Sequence, residues 1–162
     1  MPSSFAEWVE QARSLGERKF VARFVGFYLL STEDNVELQT MLQTKVTEAP
    51  NPRRRLASRN FEIRNVIKAA ENDEPISVGR SRTCDIVFKH PSVSKVHAHL
   101  RPAGSGLSVV DLKSRNGTSV NGMAIAAEKP TPVDCQDRIQ FGSVQTMVLD
   151  AGDLFDLVSR MG

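Results

Sequence analysis

The chain has 162 residues, of which 40% are hydrophobic and 25% are charged, a composition typical of one globular domain with an appendage. Its 21 Lys and Arg against 19 Asp and Glu give a net charge of +2, too small to indicate nonspecific attraction to nucleic acid or an anionic membrane. No apolar run approaches the roughly 20 residues that span a bilayer, and two cysteines are too few for a disulfide framework. We therefore expect a cytoplasmic protein with reduced thiols that binds neither nucleic acid nor membrane.

The chain is predicted to begin with a short amphipathic helix. Apolar residues repeat with helical spacing over residues 5–15, Ser3 or Ser4 can serve as the N-cap, and Gly16 stands just past the end. We expect this helix, with Trp8 on its apolar face, to pack on the rest of the protein.

The remainder of the first 59 residues is predicted to complete a mainly helical N-terminal extension and a linker. Because Gly26 interrupts the apolar stretch Phe20–Leu30, we expect helix up to about Phe24 and a strand after it. Helical spacing returns over 38–46, and the Pro- and Arg-containing segment 47–58 predicts a linker.

From Asn60 the pattern changes to short β-rich runs of about four to six residues, each closed by turn residues, as in an all-β sandwich or barrel. The expected strands are Phe61–Ala69, Ile76–Gly79, Ile86–Phe88, Val96–Leu100, Leu107–Asp111, Ser119–Val120, Arg138–Phe141 and Thr146–Leu149. Residues 152–162 are predicted to form a C-terminal helix that Asp153 caps.

Three short motifs stand in order beside the ends of these strands. They are Gly79-Arg80, then Ser94-Lys95-Val96-His97, then Ser114-Arg115-Asn116-Gly117-Thr118 followed by Val120-Asn121-Gly122. A receptor for a phosphate group, which carries about −1.5 to −2 charges, needs a fixed cation, hydroxyl or amide donors, and a group that sets the direction of the ligand. Arg80 offers a planar guanidinium, Ser94 a short hydroxyl, and Asn116 an amide with both donors and an acceptor.

In this order and spacing the motifs resemble those of the forkhead-associated domain, a family of phospho-motif readers. The resemblance covers about residues 61–151 and includes Asp85-Ile86-Val87 and the run Asp137 to Gly142. It implies an all-β sandwich of the forkhead-associated type at 60–151, with a short α-helical N-terminal extension (1–59) and a C-terminal helix (152–162). It further implies a phosphothreonine-peptide binding module in Ser/Thr kinase signalling, with no enzyme activity, cofactor or metal.

The resemblance also assigns roles to individual residues. The phosphopeptide-binding residues would be Arg80, Ser94, Lys95, Arg115 and Asn116. The residues that support the site would be Gly79, His97, Gly117, Asn121 and Gly122. Family members commonly have Arg or Asn in place of Lys95 and often Thr in place of Arg115, which leaves open how many groups contact the phosphate.

Other functions remain as alternatives. Cys84, His90, His97 and His99 could be assembled into a metal site, although zinc sites normally use clustered ligand pairs. Cys84 with His97 and Asp111 could be written as a nucleophile triad, but no nucleophile elbow or nucleotide-binding loop is present, which disfavours an enzyme. The sandwich could instead serve a phospho-independent structural or assembly protein.

The partner is expected to be a phosphothreonine-containing protein or peptide. The chain's own N-terminal extension is a second candidate, because a phosphate on one of its threonines could reach the site through the linker. These threonines are Thr32, Thr40, Thr44 and Thr47.

Overall fold

The computed structural model of the chain describes residues 1–32, 61–66, 74–103 and 106–161. In chain order its elements are α1 (Phe5–Arg23), β1 (Phe27–Thr32), β2 (Phe61–Asn65), β3 (Ile76–Gly79), β4 (Ile86–Val87), β5 (Ala98–Ala103), β6 (Gly106–Asp111), β7 (Thr118–Val120), β8 (Met123–Ala124), β9 (Thr131–Val133), β10 (Arg138–Phe141), β11 (Val144–Asp150) and α2 (Ala151–Met161). The expected helical spacing at 38–46, the linker at 47–58 and three of the candidate threonines (Thr40, Thr44 and Thr47) lie outside the described residues.

The strands form the two sheets of a sandwich, as expected. One sheet has the strand order β2-β1-β11-β10-β7-β8 and the other has the order β4-β3-β5-β6-β9. Apolar side chains alternate along the strands and meet between the sheets, where Leu100, Val109, Ile139 and Phe141 are fully buried. This core fixes the strand ends from which the candidate site residues project.

A second core lies on the outer face of the six-stranded sheet, under α1 and α2. It contains Trp8, Phe20, Phe24, Tyr28, Leu30, Met147, Leu149, Leu154, Leu157 and Val158, with Trp8 only 3% exposed. The expected packing of the N-terminal helix is therefore confirmed. None of the helices in the described ranges is long and apolar enough to cross a membrane.

Gly16 divides α1 into two segments that fold against each other. The N-cap is Ser4, whose hydroxyl accepts from the backbone N–H of Glu7 at 3.3 Å. At Gly16 the backbone has φ 70°, a left-handed conformation that ends the first segment. In a straight helix Trp8 and Phe24 would stand about 24 Å apart, yet their ring centroids are 4.9 Å apart. The chain therefore reverses at the glycine that the sequence marks as a helix end.

β1 lies inside the six-stranded sheet, although it comes from the segment that the sequence assigns to the N-terminal extension. It pairs with β2 on one side and with β11 on the other. Tyr28 is fully buried, and its hydroxyl donates to the carbonyl of Phe24 at 2.8 Å. The predicted strand after Phe24 is confirmed, and the sandwich takes one strand from before residue 60.

The C-terminal helix is confirmed, but its predicted cap is wrong. The helix begins at Ala151, and Asp153 lies within its first turn. The backbone N–H of Asp153 donates to Asp150 Oδ1 at 2.8 Å, so the carboxylate that caps the helix belongs to Asp150. The Asp153 carboxylate accepts in return from the backbone N–H of Asp150 at 3.4 Å, and it also accepts from the side chain of Gln136 at 2.9 Å.

Candidate functional site

Three loops meet at one end of the sandwich: the β3–β4 loop (80–85), the β4–β5 loop (88–97) and the β6–β7 loop (112–117). The backbone N–H of Arg80 donates to the carbonyl of Ser94 at 2.9 Å. From the other side, the backbone N–H of Arg115 donates to Ser94 Oγ at 3.0 Å. Ser94 is thus held directly between Arg80 and Arg115, and these three predicted residues are brought together.

Lys95 and Asn116 belong to the same set of contacts. The Lys95 carbonyl accepts from the backbone N–H of Ser81 at 3.0 Å, and the Lys95 side chain is exposed. The Asn116 side-chain amide donates to the Ser92 carbonyl at 2.8 Å and so ties the β6–β7 loop to the β4–β5 loop. The second amide hydrogen and the amide oxygen of Asn116 remain for a ligand.

His97 is fully buried and joins two of the loops from below. Its Nδ1 accepts from the backbone N–H of Ser94, and its Nε2 lies 3.0 Å from the carbonyl of Gly117. Because Nδ1 accepts, the ring proton is on Nε2, which donates to Gly117. Burial lowers the pKa of His97, outweighing the effects of the Gly117 carbonyl and of the Asp111 carboxylate, which favour the charged ring. The imidazole is therefore a neutral brace under the site.

Gly79 is required by a close approach of the backbone. A Cβ at this position would stand 2.2 Å from the Lys95 carbonyl oxygen and 2.9 Å from Cys84 Sγ. The φ of Gly79 is not among the positive values of the described glycines, so no left-handed turn requires it. The glycine instead admits the β4–β5 loop against the end of β3.

Asn121 and Gly122 lie at the other end of β7 from the three loops. Both have positive φ, 51° and 82°, and they form the tight turn between β7 and β8. Asn121 Nδ2 donates to Asp137 Oδ1 at 3.0 Å, and its Oδ1 accepts from the backbone N–H of Arg138 at 2.9 Å. These residues hold β7 against the start of β10 and do not join the loop contacts.

Two residues that the sequence did not single out for the site also support it. Buried Asp111 accepts from the backbone and hydroxyl of Ser114 and from the hydroxyl of Thr118. Burial acts to raise the pKa of Asp111, but the hydrogen bonds outweigh it and the pKa lies below its usual value. The spacing of Asp111 from Ser114 is a local turn signal that could have identified it.

Ser92 is the second such residue, and nothing in the local sequence marks it. Its Oγ accepts from the backbone N–H of Ser143 at 2.9 Å and lies 2.8 Å from His90 Nδ1. A Cβ on Gly142 would stand 2.4 Å from the Ser92 carbonyl oxygen, so the β10–β11 turn also packs tightly on this loop. The β4–β5 loop is therefore fixed along its length by contacts distant in sequence.

The site is accessible to a ligand. Arg80, Lys95, Arg115 and Asn116 are exposed, and Ser94 is half-buried. Because Ser94 Oγ accepts from Arg115, its own proton is free to be donated outward. These five residues together offer two guanidinium groups, an ammonium, a hydroxyl donor and an amide to a ligand.

The alternative metal and nucleophile sites are not assembled. Within the described ranges, the one group of three close metal-ligand atoms is formed by Cys135, Asp150 and Asp153. Cys84 Sγ donates to the Lys95 carbonyl at 3.3 Å, and burial raises the pKa of its thiol. A raised pKa disfavours the thiolate that a nucleophile or a metal ligand requires.

Comparison with known proteins identifies the region that carries these loops. Residues 76–142 match the family model of the FHA (forkhead-associated) domain. The chain contains an FHA domain. All three loops, including the predicted phosphate contacts, lie within the matched residues of this FHA domain.

Relatives of the FHA domain are found in much longer proteins. The chain is 38% identical over 74 residues to the FHA domain-containing protein PS1 of Arabidopsis thaliana, covering 44% of this chain and 5% of that protein. It is 37% identical over 79 residues to the DNA damage response protein kinase DUN1 of Saccharomyces cerevisiae, covering 44% of this chain and 15% of that protein. The chain thus spans a small fraction of these curated relatives.

A solved structure supports the fold. An engineered FHA domain with a Myc-pTBD peptide superposes with a TM-score of 0.51 and 15% identity, over 83% of this chain and 98% of that one. The superposed region extends beyond the matched family residues, in agreement with the membership of β1 and β11 in the sandwich.

Proposed function

We propose that the chain is a phosphothreonine-peptide binding module in Ser/Thr kinase signalling. The observation that carries this proposal is that Ser94 is held by hydrogen bonds between Arg80 and Arg115, inside an FHA domain. A phosphate placed at Ser94 would find a hydroxyl donor at its centre and a guanidinium on either side. Charge-assisted hydrogen bonds of this kind are about twice as strong as neutral ones.

Each of the five site residues has its own proposed contact with the phosphopeptide. Arg80 and Ser94 bind the phosphate, and Lys95 adds a mobile positive charge beside them. Arg115 closes the far side, and the free amide groups of Asn116 hold the main chain of the peptide. Since Asn116 is already anchored to the Ser92 carbonyl, it meets the ligand with little rotamer entropy to lose.

We also propose that the chain acts by binding, without enzyme activity. Cys84, the thiol of the β3–β4 loop, has its pKa raised by burial, which disfavours the thiolate that a nucleophile requires. His97, which accepts from the Ser94 N–H, and Asp111, which accepts from Ser114, are both buried and serve as structural hydrogen-bond partners.

The direct test is a degenerate peptide library with a fixed central phosphothreonine, screened on the purified chain beside matched libraries with phosphoserine and with threonine. We expect retention of the phosphothreonine library and no retention of the threonine library. The phosphoserine library should bind several-fold less well, because a buried methyl group contributes about 0.8 kcal/mol. Equal retention of all three libraries, or of none, would contradict the proposal and favour a phospho-independent assembly protein.

The N-terminal extension remains a proposed partner of the same site. Thr32 ends β1, and the other three threonines lie outside the described residues. A tethered phosphate has an effective concentration of about 1 mM, enough to compete with a micromolar peptide. If phosphorylation of the extension by a Ser/Thr kinase leaves the affinity for an external phosphopeptide unchanged, this proposal is wrong.

A further inference from the structure

The three site loops are strongly basic. The loops contain six Lys or Arg residues and one acidic residue, a net charge of +5, whereas the whole chain carries +2. The rest of the chain is therefore net negative. The six cations are Arg80, Arg82, Lys89, Lys95, Lys113 and Arg115.

These charges are poorly compensated from within the protein. Lys113 lies 3.6 Å from Glu128, but in the described part of the chain the other five cations have no carboxylate within ion-pair distance, and all five are exposed. The acidic residue of the loops, Asp85, accepts from the backbone N–H and hydroxyl of Ser77 instead. In the described part of the chain, five of the six loop cations thus have no carboxylate paired with them.

Arg82 illustrates that the cations are displayed on ordered backbone. It stands at the tip of a turn closed by the backbone N–H of Cys84, which donates to the carbonyl of Ser81 at 3.1 Å. The hydroxyls of Ser81 and Thr83 are 2.9 Å apart and close the same turn a second time. The turn is fixed, so a partner that pairs with Arg82 does not have to order the loop.

The positions of the loops put cations on both sides of Ser94. The β3–β4 loop, with Arg80 and Arg82, contacts Ser94 through its carbonyl. The β6–β7 loop, with Arg115, contacts it through its hydroxyl. Loops that carry cations without a carboxylate partner therefore stand on two sides of the place we propose for the phosphothreonine.

We infer that the ligand of this site is an acidic phosphopeptide, with Asp or Glu on both sides of the phosphothreonine. The inference rests on the proposed function and adds the class of sequence that the site selects. Carboxylates on the peptide relieve the repulsion among the loop cations, and a basic peptide increases it. Because these pairs are exposed, each contributes modestly and the selection comes from their number.

The test uses three phosphothreonine peptides of equal length, in which the flanking residues are Asp and Glu, their neutral counterparts Asn and Gln, or Lys. Exposed ion pairs contribute about 0.2–1 kcal/mol each, or roughly 1.4- to 5-fold in affinity. With pairs on both sides, we expect the acidic peptide to bind about tenfold more tightly than the neutral one, and the Lys peptide to bind most weakly. The advantage should shrink in high salt, where the screening length falls to about 3 Å.

Arg82→Gln and Lys89→Gln test the loops themselves, because neither residue belongs to the proposed phosphate contacts. Each substitution should lower the ratio of acidic to neutral peptide affinity by about 1.4- to 5-fold. The affinity for the neutral peptide should change little. Lys19→Gln is the matched control, since Lys19 is exposed on α1, in the helical layer over the other sheet. It should leave the ratio unchanged.

The outcomes separate this inference from the proposed function. Equal affinities for the acidic and neutral phosphopeptides would overturn the inference while leaving phosphothreonine recognition intact. Failure of all three phosphopeptides to bind would overturn both. Displacement of the acidic phosphopeptide by an equal concentration of oligodeoxythymidylate would also overturn it, since the loops would then be a nonspecific polyanion surface.

Discussion

His97 is the residue on which the shape of the site depends most directly, because it joins the backbone of Ser94 to that of Gly117. It can do so only as a neutral ring, since the bond from the Ser94 N–H requires an unprotonated Nδ1. The sequence predicts a supporting role for His97 by resemblance. The tautomer and the two partners follow from the fold.

The pKa of His97 predicts a loss of stability in mild acid. Because burial lowers this pKa in the folded state, the unfolded chain takes up the proton first as the pH falls below about 6.5. The contribution of His97 is therefore complete above that pH, and it is lost between 6.5 and the lower pKa of the folded state. Urea unfolding from pH 7.5 to 5.5 should show the wild-type free energy of unfolding falling by at most about 1.4 kcal/mol per pH unit from this group.

His97→Gln should remove this dependence. It leaves the Ser94 N–H without its acceptor and should lower the free energy of unfolding at pH 7.5 by about 1–3 kcal/mol. His99→Gln, which removes an imidazole from β5 outside the site, is the control. An acid-dependent loss in His97→Gln as steep as that of the wild type would contradict this assignment.

A substitution at Gly79 should affect both the stability of the fold and phosphopeptide binding. Gly79→Ala places a Cβ 2.2 Å from the Lys95 carbonyl oxygen, so the β4–β5 loop must shift. Overpacking of this kind typically costs about 1–3 kcal/mol, and here it should also weaken phosphopeptide binding. Thermal unfolding and peptide titration measure the two effects.

Gly122→Ala is the control for Gly79→Ala. Gly122 has φ 82° and open space around it, so an alanine there costs about 1–2 kcal/mol in backbone strain without moving the loops. Phosphopeptide affinity should be that of the wild type. If Gly79→Ala is as stable as the wild type, or if both variants bind alike, the close approach at Gly79 does not shape the site.

At the scale of elements, the N-terminal helix is an integral layer of the fold. The Trp8 ring meets those of Phe20, Phe24 and Tyr28 edge-on, at centroid distances of 6.0, 4.9 and 5.5 Å. These contacts join both segments of α1 to β1, and β1 is paired inside the six-stranded sheet. The helical layer that stabilises the fold and the loops that form the site thus lie in different parts of the molecule.

Trp8→Ala should therefore lower the free energy of unfolding by about 3–5 kcal/mol without changing phosphopeptide affinity at temperatures where the variant is folded. Deletion of residues 1–24 should lower the melting temperature or solubility for the same reason. Val25→Ala is the control, because Val25 is 67% exposed and its truncation should stay within about 0.5 kcal/mol. An unchanged melting temperature in Trp8→Ala would show that the helical layer contributes no stability.

The strands differ in how well the sequence predicts their bounds. β3 and β10 have the predicted bounds because alternating apolar residues end at glycine or a turn. β8 is two exposed residues, Met123 and Ala124, with no alternation to detect. β9 contains Pro132, which argues against a strand, and it lies at the edge of its sheet, where a missing N–H is tolerated.

The residues of the site also differ in how far the sequence predicts them. Short motifs of fixed order predict that Arg80, Ser94, Arg115 and Asn116 lie in neighbouring loops. The contribution of Ser92 could not be predicted, since its partner Ser143 is 51 residues away and only the fold brings them together. Likewise, the sequence does not predict that β1 joins the sandwich, because β1 pairs with β11, which is more than 100 residues away.

For the molecule as a whole, we expect the loops at one end of the sandwich to bind a phosphate and the helices on the outer face of the six-stranded sheet to stabilise the fold. The net charge of +2 conceals a basic end made by three loops. Because the second pKa of a phosphate is about 6, affinity for a phosphothreonine peptide should fall as the pH drops below that value. A peptide carrying Glu in place of phosphothreonine should bind far more weakly, since it offers one charge and two oxygens.

The most direct test of the central claim is a titration of one phosphothreonine peptide, selected from the library, into folded wild type, Arg80→Ala, Arg115→Ala and the control Arg101→Ala. Arg101 is an exposed arginine on β5 outside the three loops. Hydrogen bonds to a charged group contribute about 1.5–3 kcal/mol each, so loss of the Arg80 fork should weaken binding at least tenfold and up to several hundredfold.

Arg115→Ala, which removes a charge carried within a loop and not directly after a strand, should cost nearer 0–1 kcal/mol, and Arg101→Ala should bind like the wild type. Each variant is first shown to unfold at the wild-type temperature. If folded Arg80→Ala binds the phosphopeptide as tightly as the wild type, the assignment of phosphate recognition to this site is contradicted, and a phospho-independent assembly role takes its place.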